Sequence, residues 1–297
     1  MKRRTFVKNS YLTAFSIAAF GSIHWNGRSF TGNNPTTTDI LGPFYRPGSP
    51  MRSNLIPPGS KGEPLHLSGT ILQQDGQTPL SNVLIEAWQC DENEYYDNTS
   101  DDYLFRGAVK TTREGKYSFE TIVPVPYKAS ATFWRPAHIH LRVSSANHQD
   151  LITQIYFKGD PYLDQDSSSA SPQAVNRILD ITTNAASQKV VNFDVVMDKA
   201  IPLDNSVYDK ICGLYSLDDG MAEFYREDDL LFMKLNGHIR EGLVYQGNNT
   251  FEGALGMLKA QFELLPDGGT KAIIYRGDFE NPAKVQTSKG TKFLKYR

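Results

Sequence analysis

Cysteine is almost absent from this chain. Its 297 residues include two, Cys90 and Cys212, far apart and in no C-x-x-C pattern, which argues against a zinc ribbon or a disulfide scaffold. An excess of charge is missing as well. The formal net charge is −2, so no basic surplus points to nucleic acid. No apolar run is long enough to cross a bilayer core comfortably. Histidine is scarce, with six residues and no H-x-x-x-H pair. What the chain does hold is aromatic: fifteen tyrosines, within an aromatic content of 11%. Its length suits one large or two ordinary domains.

Residues 1–30 read as an export signal. Lys2, Arg3 and Arg4 precede an uncharged run over 11–23, the order of a charged n-region and a short apolar h-region. Arg3-Arg4-Thr5-Phe6-Val7-Lys8 resembles the twin-arginine signal, which implies export of a folded protein to the periplasm of a bacterium. Cleavage of the signal and its retention as an anchor both stay open. Residues 31–64, rich in Asn, Thr, Pro, Gly and Ser, read as an irregular wrapping segment. Within it, Leu41-Gly42-Pro43-Phe44-Tyr45-Arg46-Pro47 holds two aromatics between prolines, fit to line a pocket or cap a core.

From residue 65 the pattern is β. Strand-like runs at 67–72, 83–88, 107–112, 116–121, 138–143, 151–157 and 190–197 are separated by turn signals such as Asp75-Gly76 and Glu114-Gly115. This predicts an all-β sandwich of roughly seven or eight strands over 65–200. A short helix is expected over 172–183, capped by Ser171 and burying Val175, Ile178 and Leu179. Residues 201–206 contain Pro202 and read as a linker. Strand signals return at 230–234, 253–257, 261–265 and 270–275, the last two flanking Asp267-Gly268-Gly269. They predict a second, small β domain over 207–297.

The chemistry centres on Trp134-Arg135-Pro136-Ala137-His138-Ile139-His140. On a strand, residues two apart share a face, so His138 and His140 present two imidazoles side by side. Two neutral nitrogens suit a metal; a pair of half-buried strand histidines is the plainer alternative. A metal needs further ligands, and tyrosine is the donor in surplus. Tyrosinate is a hard anionic oxygen, which favours Fe(III) over copper or zinc. Tyr96, in the loop Asp91-Glu92-Asn93-Glu94-Tyr95-Tyr96-Asp97, and Tyr127, in Pro124-Val125-Pro126-Tyr127, stand near enough in sequence to contribute. On the residues alone, each reads more readily as a packed aromatic than as a ligand.

The segments 41–47, 69–97, 121–127, 134–140 and 151–161 together resemble the intradiol ring-cleavage dioxygenases, in order and at matching spacing over about residues 36–200. The pairing of Arg-Pro-Ala-His-Ile-His with Leu-Ile-Thr-Gln-Ile-Tyr-Phe is the most specific part. The resemblance implies a non-haem Fe(III) site held by Tyr96, Tyr127, His138 and His140, with Tyr95 as the rival for the first position. It further implies that Arg135 steadies negative charge on the substrate, that Gln154 is a polar neighbour of the site, and that Tyr127 leaves the iron to act as a base. The implied substrates are an aromatic 1,2-diol and O2, and the product a cis,cis-muconate-type diacid. No long amphipathic helix precedes residue 65, so the chain is closer to the shorter, protocatechuate-like architecture. A homo-oligomer and a pairing of unlike subunits both stay open. The tail from Val207 resembles, more weakly, the small β-barrel domain that follows some serine β-lactamase-like proteins, and reads as a structural or binding module.

Two other readings compete. A prealbumin-like β-sandwich would give an exported binding module with no catalysis; it has no need of the full set Tyr96, Tyr127, His138 and His140. A cupin-like Fe(II) site would need a further histidine at a strand end, and His148, after Ser144-Ser145-Ala146-Asn147, looks like a turn residue.

Overall fold

The computed structural model describes residues 23–25, 30–32, 35–228, 230–253, 256–277 and 285–293. Of the export signal expected over 1–30, all but residues 23–25 and 30 lies outside the described residues. Among the described residues no helix is long and apolar enough to cross a membrane. Strands β1 (Ile23–Trp25) and β2 (Phe30–Gly32) pair as a small hairpin. Then come β3 (Pro64–Leu72), β4 (Leu84–Trp88), β5 (Arg106–Lys110), β6 (Lys116–Ile122), β7 (Tyr127–Lys128), β8 (Trp134–Arg135), β9 (His138–Ser144) and β10 (Leu151–Phe157). β11 (Ile178–Leu179), β12 (Thr182–Thr183), β13 (Lys189–Asn192) and β14 (Val195–Val196) follow.

These strands build a sandwich. One sheet has the order β11-β10-β9-β4-β5; in the other, β3 is flanked by β13 and β14 on one side and β6 on the other. Period-two alternation sorts the first sheet's side chains onto two faces. Ile139, Leu141 and Val143 of β9, with Leu151, Ile155 and Phe157 of β10, turn into the core between the sheets. His138, His140 and Arg142, with Ile152, Gln154 and Tyr156, take the opposite face, and that face is buried too.

What buries it is the segment 39–45 and a second unit. The strands β15 (Gly213–Leu217), β16 (Gly220–Glu227), β17 (Leu230–Leu235), β18 (His238–Gly247), β19 (Thr250–Gly253), β20 (Leu258–Leu264), β21 (Thr270–Gly277) and β22 (Val285–Lys292) form a closed barrel. Closure leaves it no free edge. Its core stacks Tyr215, Phe224, Phe251 and Phe262. A short helix, α1 (Asn205–Ile211), is capped by Asp204, whose side chain accepts the Ser206 N–H at 2.7 Å, and packs Tyr208 and Ile211 into that core. The barrel's Leu230, Phe232 and Val244 share a third apolar cluster with Leu41, Tyr45, Trp88, Tyr96, Tyr127 and Ile152. Arg142 reinforces the join, reaching Glu86 and Asp150 of the sandwich and Glu227 and Asp228 of the barrel.

Several elements depart from the sequence expectation. The helix expected over 172–183 is a 3-10 turn, Pro172–Arg177. Ser171 caps it as expected, but Val175 is 64% exposed, and Ala174 and Arg177 are buried instead. Ile178 and Leu179 leave it to pair in parallel with Tyr156 and Phe157. The single strand expected over 190–197 is interrupted after Asn192. There Phe193 O comes so close to Gly69 that a Cβ would stand 1.9 Å from it, and Asp194 takes over the Thr70 N–H at 2.8 Å. Of the run expected over 253–257, Gly253 closes the strand Thr250–Gly253, Gly256 and Met257 are not strand, and 254–255 lie outside the described residues. Cys90 and Cys212 are both free.

Candidate metal and active site

β9 is central in its sheet, and its register fixes the neighbours of both histidines. Trp88 of β4 and Gln154 of β10 stand opposite His140, and Tyr156 stands opposite His138. Trp88 stacks flat on the His140 ring, with centroids 4.8 Å apart and an interplanar angle of 8°. His138 Nδ1 lies 2.6 Å from Pro136 O. A carbonyl only accepts, so Nδ1 carries the proton and Nε2 bears the lone pair. That Nε2 lies 3.1 Å from His140 Nε2 and 3.3 Å from Tyr96 Oη.

Tyr127 completes the cluster from the β7–β8 hairpin, where it stands opposite Arg135. Its ring is 5.5 Å from Tyr96, edge-on, and 5.6 Å from His138. Tyr96 is buried beside the histidines, whereas Tyr95 is 56% exposed. The Tyr96 loop is pinned by Asp97, whose carboxylate accepts the N–H groups of Ser100 and Leu104 and the Ser100 hydroxyl. His148 lies in a turn, its Nδ1 3.0 Å from Ala146 O, and takes no part.

Electrostatics suit a cation here. Burial, followed by the nearby Arg135 charge, pushes His138 well below the usual imidazole range; burial and His138 do the same to His140. Both are therefore neutral donors. Burial pushes the phenols of Tyr96 and Tyr127 up, with Arg135 pulling Tyr127 partly back. Without a cation they keep their protons at neutral pH, and a trivalent ion is the kind of partner that removes them. His140 Nδ1 is buried and has no hydrogen-bond partner among the described residues. His140 Nε2 and Tyr96 Oη thus lie 3.1 and 3.3 Å from His138 Nε2, and the set of two imidazoles and two phenols fits a hard metal such as Fe(III). Among the described residues no group of three His, Cys, Asp or Glu offers another metal site.

Arg135 anchors the polar side. Its Nε meets Asp166 Oδ2 at 2.7 Å, and its Nη2 reaches Gln154 Oε1 at 3.0 Å and Tyr156 Oη at 3.3 Å. Tyr156 in turn donates to Asp39 at 2.8 Å, and Asp39 pairs with buried Arg177. Burial disfavours the Arg135 charge, but Asp166 foremost, with Tyr156 and Tyr127, outweighs it and keeps the guanidinium ionised. Sequence reasoning missed Trp88, Tyr156, Asp166, Asp39 and Arg177. Trp88 and Tyr156 carried a findable signal, since each falls on the same side of its strand as the histidine it opposes.

A β-sandwich with two histidines on a central strand, one tyrosine on a loop and one on a hairpin beside them is a candidate non-haem metal site. Comparison with known proteins makes the class specific. The family described as Dioxygenase matches residues 40–199. A chlorocatechol 1,2-dioxygenase of Rhodococcus opacus is 33% identical over 193 residues, covering 57% of this chain and 75% of that protein. Catechol 1,2-dioxygenase 2 of Acinetobacter lwoffii is 34% identical over 159 residues, 47% of this chain and 57% of that one. The solved structure of 3-chlorocatechol 1,2-dioxygenase from Rhodococcus opacus 1CP superposes with a TM-score of 0.51 at 27% identity, covering 63% of this chain and 78% of that one. This chain belongs to the intradiol ring-cleavage dioxygenase family.

Proposed function

We propose that the protein cleaves an aromatic 1,2-diol of the catechol type with O2, between the two hydroxyl-bearing carbons, to a cis,cis-muconate-type diacid. The observation that carries this is the placing of Tyr96 Oη and His140 Nε2 at 3.3 and 3.1 Å from His138 Nε2, with the Tyr127 ring beside them. Tyr96, Tyr127, His138 and His140 would hold Fe(III). Bound ferric iron supplies the Lewis acidity and electron-accepting character that let a deprotonated diol react with O2.

The chain's own residues do the rest. Tyr127, opposite Arg135 on the hairpin, takes a proton from the incoming diol. Arg135, kept charged by Asp166, steadies the anionic substrate. Gln154 holds Arg135 with its oxygen and Ile40 O with its nitrogen, at 2.6 Å. Phe44, Trp88 and the barrel's Phe232 belong to the apolar packing that keeps water from the site. The twin-arginine-like leader supports export to the periplasm, where such an enzyme would meet diols from outside the cell.

The test is incubation of iron-loaded protein with catechol under 18O2. A ring-opened diacid carrying both labelled atoms is the expected result. Unchanged catechol across a panel of diols would favour the binding-module alternative.

A further inference from the structure

The barrel holds the strap that roofs the candidate iron site. That strap, residues 40–45, is held from both units. Gln154 Nε2 of β10 donates to Ile40 O at 2.6 Å. Glu241 Oε1 of β18 accepts the Leu41 N–H at 3.0 Å, across 200 residues of sequence. Phe232 of β17 stacks on Tyr45, with centroids 5.6 Å apart and an interplanar angle of 14°. Two of these anchors come from the barrel; the sandwich adds Arg142, whose Nη1 donates to Tyr45 Oη at 2.9 Å, and Trp88, whose ring centroid lies 5.1 Å from that of Tyr45. Glu241 is buried, and the same oxygen also accepts its neighbour's N–H, from Gly242, at 3.2 Å.

Between these anchors the strap meets the site directly. Gly42 presses on His140: a Cβ there would stand 3.2 Å from Cε1. Phe44 lies parallel to Tyr96 with centroids 4.3 Å apart, and edge-on to Tyr127 at 5.9 Å. Leu41 and Tyr45 bracket Phe44, so whatever fixes them fixes the ring above the two tyrosines. The family match covers strap and sandwich over 40–199 and stops before the barrel. Family membership therefore does not by itself carry the barrel's part.

We propose that the C-terminal barrel is an integral wall of the active site, with Glu241 and Phe232 as positioning residues that hold Phe44 over Tyr96 and Tyr127 and so set which aromatic diols fit. The proposal rests on the diol-cleaving function above. A loosened strap widens the space beside the tyrosines. Catechol then loses contact, and a diol with a bulky ring substituent gains relative to it.

The test compares E241L, which removes the acceptor at near-constant volume, with E241Q, which keeps a carbonyl acceptor. In iron-free protein, hydrogen exchange at the Leu41 amide accelerates on the order of tenfold in E241L and returns to the wild-type rate in E241Q. In iron-loaded protein, KM for catechol rises on the order of tenfold in E241L while kcat changes less than KM does. The kcat/KM ratio of 4-tert-butylcatechol to catechol rises with it. F232L shifts that ratio the same way and stands in if E241L does not fold. Wild-type Leu41 exchange in E241L, or E241Q as impaired as E241L, overturns the proposal. If the wild-type protein turns over no diol, the functional reading fails, and Leu41 exchange still decides whether the barrel holds the strap.

Discussion

Asp166→Asn isolates the ion pair on which Arg135 depends. The pair is enclosed, with side-chain exposures of 4% for Arg135 and 0% for Asp166 and a 2.7 Å contact. The other carboxylate oxygen accepts the N–H groups of Ser168 and Ser169, each at 3.0 Å. Asparagine keeps that acceptor and nearly the same volume, so the loop stays in place while the charge facing the guanidinium disappears. Gln154, Tyr156 and Tyr127 remain beside the guanidinium, but they are neutral and do not replace the lost charge. Breaking one side of a buried pair costs about 3–5 kcal/mol. For a chain of this size each kcal/mol moves Tm by roughly 2–4 °C, so Tm should fall by roughly 6–20 °C. Calorimetry on the iron-free protein reads this directly. Adding Arg135→Met removes the stranded charge and should recover about 2 kcal/mol or more. A single mutant within about 1 kcal/mol of wild type would refute the reasoning, and so would a double mutant no better than the single.

Two further outcomes follow from the strap. Gly42 sits at φ +77° against His140, so Gly42→Ala should cost about 1–2 kcal/mol in backbone strain and weaken iron binding in a chelator competition. Burial, aided by the Asp39 charge, lifts Glu241 from the ordinary 4.5 to about 8. With the folded value above the unfolded one, that contribution is fully present below pH 4.5 and is lost as pH rises through about 8. The urea midpoint should therefore decline over that window, and Glu241→Gln should remove the part of the decline due to this group. An identical slope in the variant would contradict the assignment.

The histidine pair was legible because strand alternation is local: His138 and His140 share a face wherever that strand lies. Which tyrosine faces the histidines was not legible from pattern alone, since the irregular loop around Tyr95 and Tyr96 has no period to say which side chain turns inward. The resemblance favoured Tyr96, and burial of Tyr96 against exposure of Tyr95 separates the two. The second buried face of the β9 sheet was not legible, because what covers it arrives some ninety residues later in the chain. Most of the barrel was hidden for a nearer reason. β18 carries Arg240, Glu241 and Gly242, and its pairing is shifted beside Met233 and again near Tyr245, so its alternation is broken. β22, Val-Gln-Thr-Ser-Lys-Gly-Thr-Lys, is almost wholly polar and gives no apolar signal. Asp166 sits in a serine-rich loop that reads as solvated, and its burial is set by Arg135, 31 residues away.

The visible absorption spectrum of protein loaded with ferric iron, with iron assayed alongside, tests the central claim most directly. The account predicts one iron per chain and a broad tyrosinate-to-iron charge-transfer band. The band should shift on adding catechol, change in Tyr96→Phe and in Tyr127→Phe, and stay as it is in Tyr95→Phe. A colourless protein after loading under air would contradict the account, as would a band that survives both ligand substitutions and vanishes with Tyr95.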